Sequence, residues 1–151
     1  MLAYTNRGVS LHQPRLEDFR EQLVKFISSH SELIVEDLRY NITGGMRESL
    51  YPKRLPHLYR GETLSIYGRY PPETDELAIQ IIGSDAGGKL EELIFRADLA
   101  RVPEGGRGIE IDWAAQHIFY LIARRTLNPS VEVTSEIRRL ARQYNIYVPY
   151  L

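Results

Sequence analysis

The chain has 151 residues, enough for one domain or two small ones and for burying roughly 68–70% of its unfolded surface without staples. Its 19 Lys and Arg against 20 Asp and Glu leave a formal net charge of −1, so the basic bias of a phosphate-backbone binder is missing and nucleic acid is not an expected partner. Without cysteine there is no disulfide framework, thiolate nucleophile or Cys-based zinc site; no apolar run approaches the ~20 residues of a membrane span, and Met1–Arg7 lacks the apolar core of a signal peptide.

The first periodic stretch follows Pro14, a residue suited to an opening helical turn. Leu16, Phe19, Leu23, Phe26 and Ile27 then draw one apolar stripe opposite Glu17, Arg20, Glu21 and Lys25, which predicts a helix over 15–29. Alternation replaces this period next: Ile34, Leu38, Tyr40 and Ile42 share a parity while Glu36, Arg39 and Asn41 turn away, as in a half-buried strand ended by Thr43-Gly44-Gly45. In Glu62–Tyr70, Leu64, Ile66, Gly68 and Tyr70 face one way and Thr63, Ser65, Tyr67 and Arg69 the other, predicting a strand stopped by Pro71-Pro72. Two further runs, Glu76–Ile82 and Leu90–Ala97, flank Asp85-Ala86-Gly87-Gly88, whose residues tolerate positive φ, so the two are expected to pair as a hairpin. With a short piece near Glu48–Tyr51, residues 31–100 offer four to five strands, too local for βαβ units.

The last third reads as helical. Ile111, Ala114, Ala115, Ile118, Leu121 and Ile122 keep the 3.6 period, yet Trp113, Phe119, Tyr120 and Ala123 fill the other sides, so this helix is apolar nearly all round. Asn128-Pro129 is read as the cap and first turn of a second helix with Val133, Ile137, Leu140, Ala141 and Tyr144 on one face and Arg138, Arg139 and Arg142 on the other. The expected fold class is α+β: an antiparallel β-sheet or small β-sandwich of four to five strands, with an N-terminal helix and a C-terminal helical hairpin over 109–151.

The residues that could carry chemistry do not converge in the sequence. Gly105-Gly106-Arg107-Gly108 precedes a helix, but it lacks the Lys-Ser/Thr of a P-loop and lies among Glu104, Glu110 and Asp112, which reads as a flexible connection. His12, His30, His57 and His117 are too scattered for paired metal ligands, and His117 is expected as a packed residue of the apolar helix. Ser49, Ser65 and Ser84 lack a nucleophile elbow, while Glu36-Asp37 and Glu91-Glu92 are neighbours on strands and point to opposite faces. Asn41-Ile42-Thr43 matches a glycosylation acceptor that matters only in a glycosylating secretory host. Tyr51, Tyr59, Tyr67, Tyr70, Tyr144, Tyr147 and Tyr150 gather near strand and loop boundaries, as at sandwich edges or protein-binding surfaces. No residue is assigned a catalytic, cofactor-binding or metal-ligating role.

One ordered set of phrases is more specific: Tyr51-Pro52-Lys53-Arg54-Leu55-Pro56-His57-Leu58-Tyr59-Arg60-Gly61-Glu62, then Gly68-Arg69-Tyr70, Trp113-Ala114, and Glu136-Ile137 with Leu140, Tyr144, Ile146 and Pro149-Tyr150. Over about 31–151 it resembles the region that follows the von Willebrand factor type A domain in inter-alpha-trypsin-inhibitor heavy-chain-like (VIT/VWA) proteins and their bacterial relatives. The resemblance implies that 1–30, with Gly8-Val9-Ser10 and the first helix, is the tail of a type A domain, and that the rest is a β-sandwich flanking it as a hybrid-like support. It implies an adhesion setting and leans to a secreted or cell-envelope location. The family's Asp-x-Ser-x-Ser metal motif stands nowhere here, so no metal is carried over, and Val148 replaces the Thr usual before Pro-Tyr.

The expected function is therefore a non-catalytic support and interaction domain. Its partners would be neighbouring domains of the parent protein, a protein ligand, or a second copy bound through Trp113 and the apolar helix. The rival is a small hydrolase or ligand-binding enzyme with a site assembled from Asp37, His57 and Glu110.

Overall fold

The computed structural model describes residues 7, 8 and 14–149. Helix α1 (Phe19–Ser29) is followed by strand β1 (Leu33–Thr43), a single 3-10 turn (Arg47–Ser49), the two-residue strand β2 (Leu58–Tyr59), strands β3 (Glu76–Ser84) and β4 (Leu90–Asp98), and helices α2 (Arg107–Leu127) and α3 (Val131–Tyr144). The four strands form one antiparallel sheet in the order β2-β1-β3-β4. This is the expected α+β class, in its antiparallel-sheet form.

The fold comprises two compact units, one drawn from within Met1–Asn41, Arg54–Ser65 and Ile79–Phe95, the other from Ile42–Lys53, Ile66–Ala78 and Arg96–Leu151. In the first, the buried hydrophobic side chains among the described residues are Leu38 and Leu55. Gly83 lies so close beneath β1 that a Cβ there would stand 2.4 Å from Val35 Cγ1 and 2.8 Å from the Glu36 carbonyl oxygen. The alternation of β1 is interrupted at Asp37, which adopts φ +52°, a left-handed conformation that Asp tolerates better than most residues. From Leu38 onward the inward parity is as expected; before Asp37 it is reversed, so Val35 is half-buried and Ile34 is exposed. Glu36, expected to turn away, is half-buried next to this break in the alternation.

Helices α2 and α3 pack against each other in the second unit, around a core of Tyr51, Trp113, Ala114, Ile118, Leu121, Ile137, Leu140 and Tyr144. The cap of α3 is Ser130, whose Oγ accepts the Val133 N–H at 3.3 Å; Asn128 closes α2 and Pro129 only links the two, which corrects the expectation for that dipeptide. Asn145, at φ +53°, ends α3 in a left-handed cap that lets Ile146 N–H return to the Ala141 carbonyl at 2.8 Å.

Two strand expectations fail. Residues 62–70 build no ladder: Glu62 N–H turns back to the Tyr59 carbonyl, and Tyr67 and Arg69 bond to the 46–51 turn. Tyr67 exchanges both hydrogen bonds with Tyr51 at 2.8 Å, Arg69 N–H goes to Ser49 Oγ at 2.8 Å, and the Arg69 carbonyl accepts Met46 N–H at 2.8 Å. Around Glu48–Tyr51 the chain winds into the 3-10 turn, leaving Tyr51 a single bridge instead of a strand. The helix expected over 15–29 begins at Phe19.

Candidate functional site

The densest side-chain assembly lies within the second unit, where the 46–53 turn meets α2 and α3. Trp113, on the apolar side of α2, donates its indole N–H to the Ser49 carbonyl at 2.7 Å. The Arg69 guanidinium covers the indole face 3.9 Å from the ring centroid and donates to the Tyr144 hydroxyl at 3.0 Å. A ring charge distribution that is negative on its face favours such a cation, and the hydroxyl fixes its orientation.

Beside this pair, His117 stacks on Tyr51 with centroids 4.6 Å apart and planes 18° from parallel, one helical turn beyond Trp113. Lys53 lies over the Tyr51 ring at 4.4 Å, and its ammonium donates to the Glu48 carbonyl at 2.7 Å. Burial pushes the Lys53 amine down from its ordinary value, with Glu48 opposing. Burial likewise pushes the His117 imidazole down; Glu136 opposes this, whereas Lys53, Arg139 and Arg69 add to it. Its Nδ1 is buried without a hydrogen-bond partner. The cluster is thus a stack of rings with Lys53 and Arg69 lying over its faces. What it can do is clamp the 46–53 turn and the 66–69 segment onto α2.

The other candidates are placed separately. In the first unit Asp37 offers His57 Nδ1 its backbone N–H at 3.3 Å, while its carboxylate pairs with Arg7 at 3.0 Å. The carboxylate is therefore not the group that orients the imidazole, as a catalytic dyad would require. Glu110 is exposed in the first turn of α2 and belongs to the second unit. His30 Nδ1 contacts the Phe26 carbonyl at 2.7 Å, and its Nε2 lies 3.1 Å from Glu62 Oε1 without hydrogen-bond alignment. Ser49 Oγ donates to the Met46 carbonyl and accepts from Arg69, so it is held as a turn residue. His12 and Tyr150 lie outside the described residues. Among the described residues no three His, Asp or Glu side chains gather as for a metal ion.

Gly106 is the N-cap of α2; the exposed connection ends there, and Arg107 and Gly108, expected as part of it, form the first turn of the helix. Arg139 is bidentate with Glu136, at 2.7 and 2.8 Å, which holds that carboxyl below its ordinary range; Arg138 and Arg142 flank an open hollow of about 570 Å³ with Tyr147 and Val148. Trp113 is buried within its own unit, whereas Ile109, Phe119 and Leu127 of the same helix are exposed. Among the described residues no helix is long and apolar enough to cross a membrane.

The residues that sequence reasoning missed lie on β4. Leu90 (68%), Leu93 (52%), Ile94 (58%) and Phe95 (56%) are solvent-exposed, Leu90 and Ile94 on one face of the strand and Leu93 and Phe95 on the other. A run with apolar residues on both parities was the available signal, since an ordinary edge strand is polar on its wet side. No protein-family model and no curated protein matches the chain.

Proposed function

We propose that this chain is a non-catalytic support and interaction domain of a larger protein containing a von Willebrand factor type A domain, in the hybrid-like role implied by the order of the Tyr51–Glu62, Gly68–Tyr70 and Glu136–Tyr150 phrases. The observation that carries the reading is β4, which exposes apolar side chains on both faces; its Leu90–Phe95 stretch belongs to a unit whose described residues bury only Leu38 and Leu55 as hydrophobic side chains. Contiguous exposed apolar surface of this kind marks contact with other protein. Helix α1 adds to it: none of its residues is buried, and Phe19, Val24 and Ile27 are exposed. A closing helix of a type A domain would present such a stripe to the body of that domain.

The enzyme reading asks His57 to act with Asp37 and Glu110, and the Asp37 carboxylate is committed to Arg7. A broad hydrolase screen on the purified chain, with His57→Ala alongside, separates the two. No turnover above background is expected. Turnover that His57→Ala abolishes would overturn the support reading. The reading frame around this sequence gives a second check, with an Asp-x-Ser-x-Ser strand expected shortly upstream.

A further inference from the structure

Among the described residues β4 is one edge of the sheet and β2 the other. The two edges are unlike. β2 has only two residues, which protects that edge by shortness, whereas β4 runs nine residues without proline. The hairpin with β3 is bracketed by two bonds in a single register, Asp85 N–H to the Lys89 carbonyl at 2.9 Å and Leu99 N–H to the Asp75 carbonyl at 2.8 Å. Amides alternate in direction along a strand, so residues 91, 93, 95 and 97 turn their backbone groups to β3, and Glu92, Ile94 and Arg96 turn theirs to the open edge.

We infer that β4 pairs antiparallel with β4 of a second copy of this chain about a twofold axis through Ile94. This rests on the interaction-domain reading above and names the occupant of that surface. The argument is the self-complementarity of the edge. With Ile94 opposite Ile94, Glu92 falls opposite Arg96 of the second copy and Arg96 opposite Glu92, and each of these pairs exchanges two backbone hydrogen bonds. On the reverse face Leu93 then falls opposite Phe95, twice. Neighbouring registers lose this match. An axis through Glu92 or Arg96 sets like charges against each other, an axis through Phe95 sets Glu92 against Asp98, and an axis through Leu93 sets Glu92 against Ile94. Within the chain Glu92 accepts one bond from Gln80 at 2.5 Å, and Arg96 lies 3.7 Å from Glu76, so both charged groups keep capacity for a cross-copy partner. Leu93 and Phe95 on one face and Ile94 on the other thereby gain apolar cross-strand neighbours from the second copy, in an isologous contact.

Sedimentation equilibrium of the full chain from about 1 μM to about 1 mM tests this, with far-UV circular dichroism to establish that each variant is folded. A monomer–dimer equilibrium is expected. Either single swap, Glu92→Arg or Arg96→Glu, places two like-charge pairs across the axis and should weaken the dimer roughly tenfold or more, while the double swap restores it to within about threefold. Ile94→Lys, which sets two ammoniums at the axis, should abolish it. A monomer at every concentration overturns the inference, as does a dimer indifferent to the single swaps or one the double swap fails to rescue. None of those results bears on the hydrolase screen, so the support reading stands or falls separately.

Discussion

Replacing Trp113 by Phe removes one N–H donor and one fused ring while keeping an aromatic face for Arg69. The bond lost is the 2.7 Å contact to the carbonyl of half-buried Ser49, which becomes an acceptor without its partner. Leaving such a group unsatisfied costs about 1–3 kcal/mol, with the lower half expected because Ser49 retains some access to water. The smaller ring leaves a gap among Tyr51, His117 and Tyr144, and since complete truncation of a buried Trp costs about 3–5 kcal/mol, this partial loss should cost about 1–2 kcal/mol. The sum is about 2–4 kcal/mol. Urea unfolding followed by far-UV circular dichroism should show the midpoint falling by about 1–2 M with an unchanged slope, for an m of about 2 kcal/mol/M, the middle of the range for small proteins. A loss below about 1 kcal/mol would refute the claim that this indole clamps the turn.

Gly83→Ala should destabilise the chain by about 1–3 kcal/mol in thermal melts, because the new methyl meets a backbone oxygen that cannot step aside; Gly108→Ala, in open space at the start of α2, should be neutral or slightly stabilising. His117 gives a pH dependence whose sign is fixed. Its imidazole is held below the ordinary value in the folded chain, so between that lowered value and about 6.5 the unfolded chain binds more protons, and stability drops as pH falls from about 7.5 through this window. His117→Phe removes the group, and the slope of unfolding free energy against pH should flatten there; an unchanged slope would show that His117 does not contribute.

Much of the fold was legible because its signals are local. The β3–β4 hairpin follows from two alternating runs around Asp85–Gly88, and α2 and α3 follow from their 3.6 period. What misled the reading was also specific. Residues 62–70 alternate as a strand does, but alternation only sorts side chains and does not say where the backbone bonds go; here those of Tyr67 and Arg69 go to the 46–51 turn. Asp37 could not be recognised as a phase change, since one aspartate in an alternating run looks like one more outward polar residue. The aromatic cluster was half legible: Tyr51, Trp113, His117 and Tyr144 each stood out, yet only the bridge between Tyr51 and Tyr67 reveals that Lys53 and Arg69 are the cations that cap them. For β4 the composition was plain, and its edge position was not, because strand order is a property of the assembled sheet.

The chain has one tryptophan, and it sits wholly inside the second unit beneath a guanidinium. Its emission thus reports on the second unit, through the contacts it makes with Ser49, Arg69 and Tyr144. Fluorescence and an ensemble probe of backbone structure need not melt together in this protein, and the separation between the two curves would measure how far one half can come apart before the other notices.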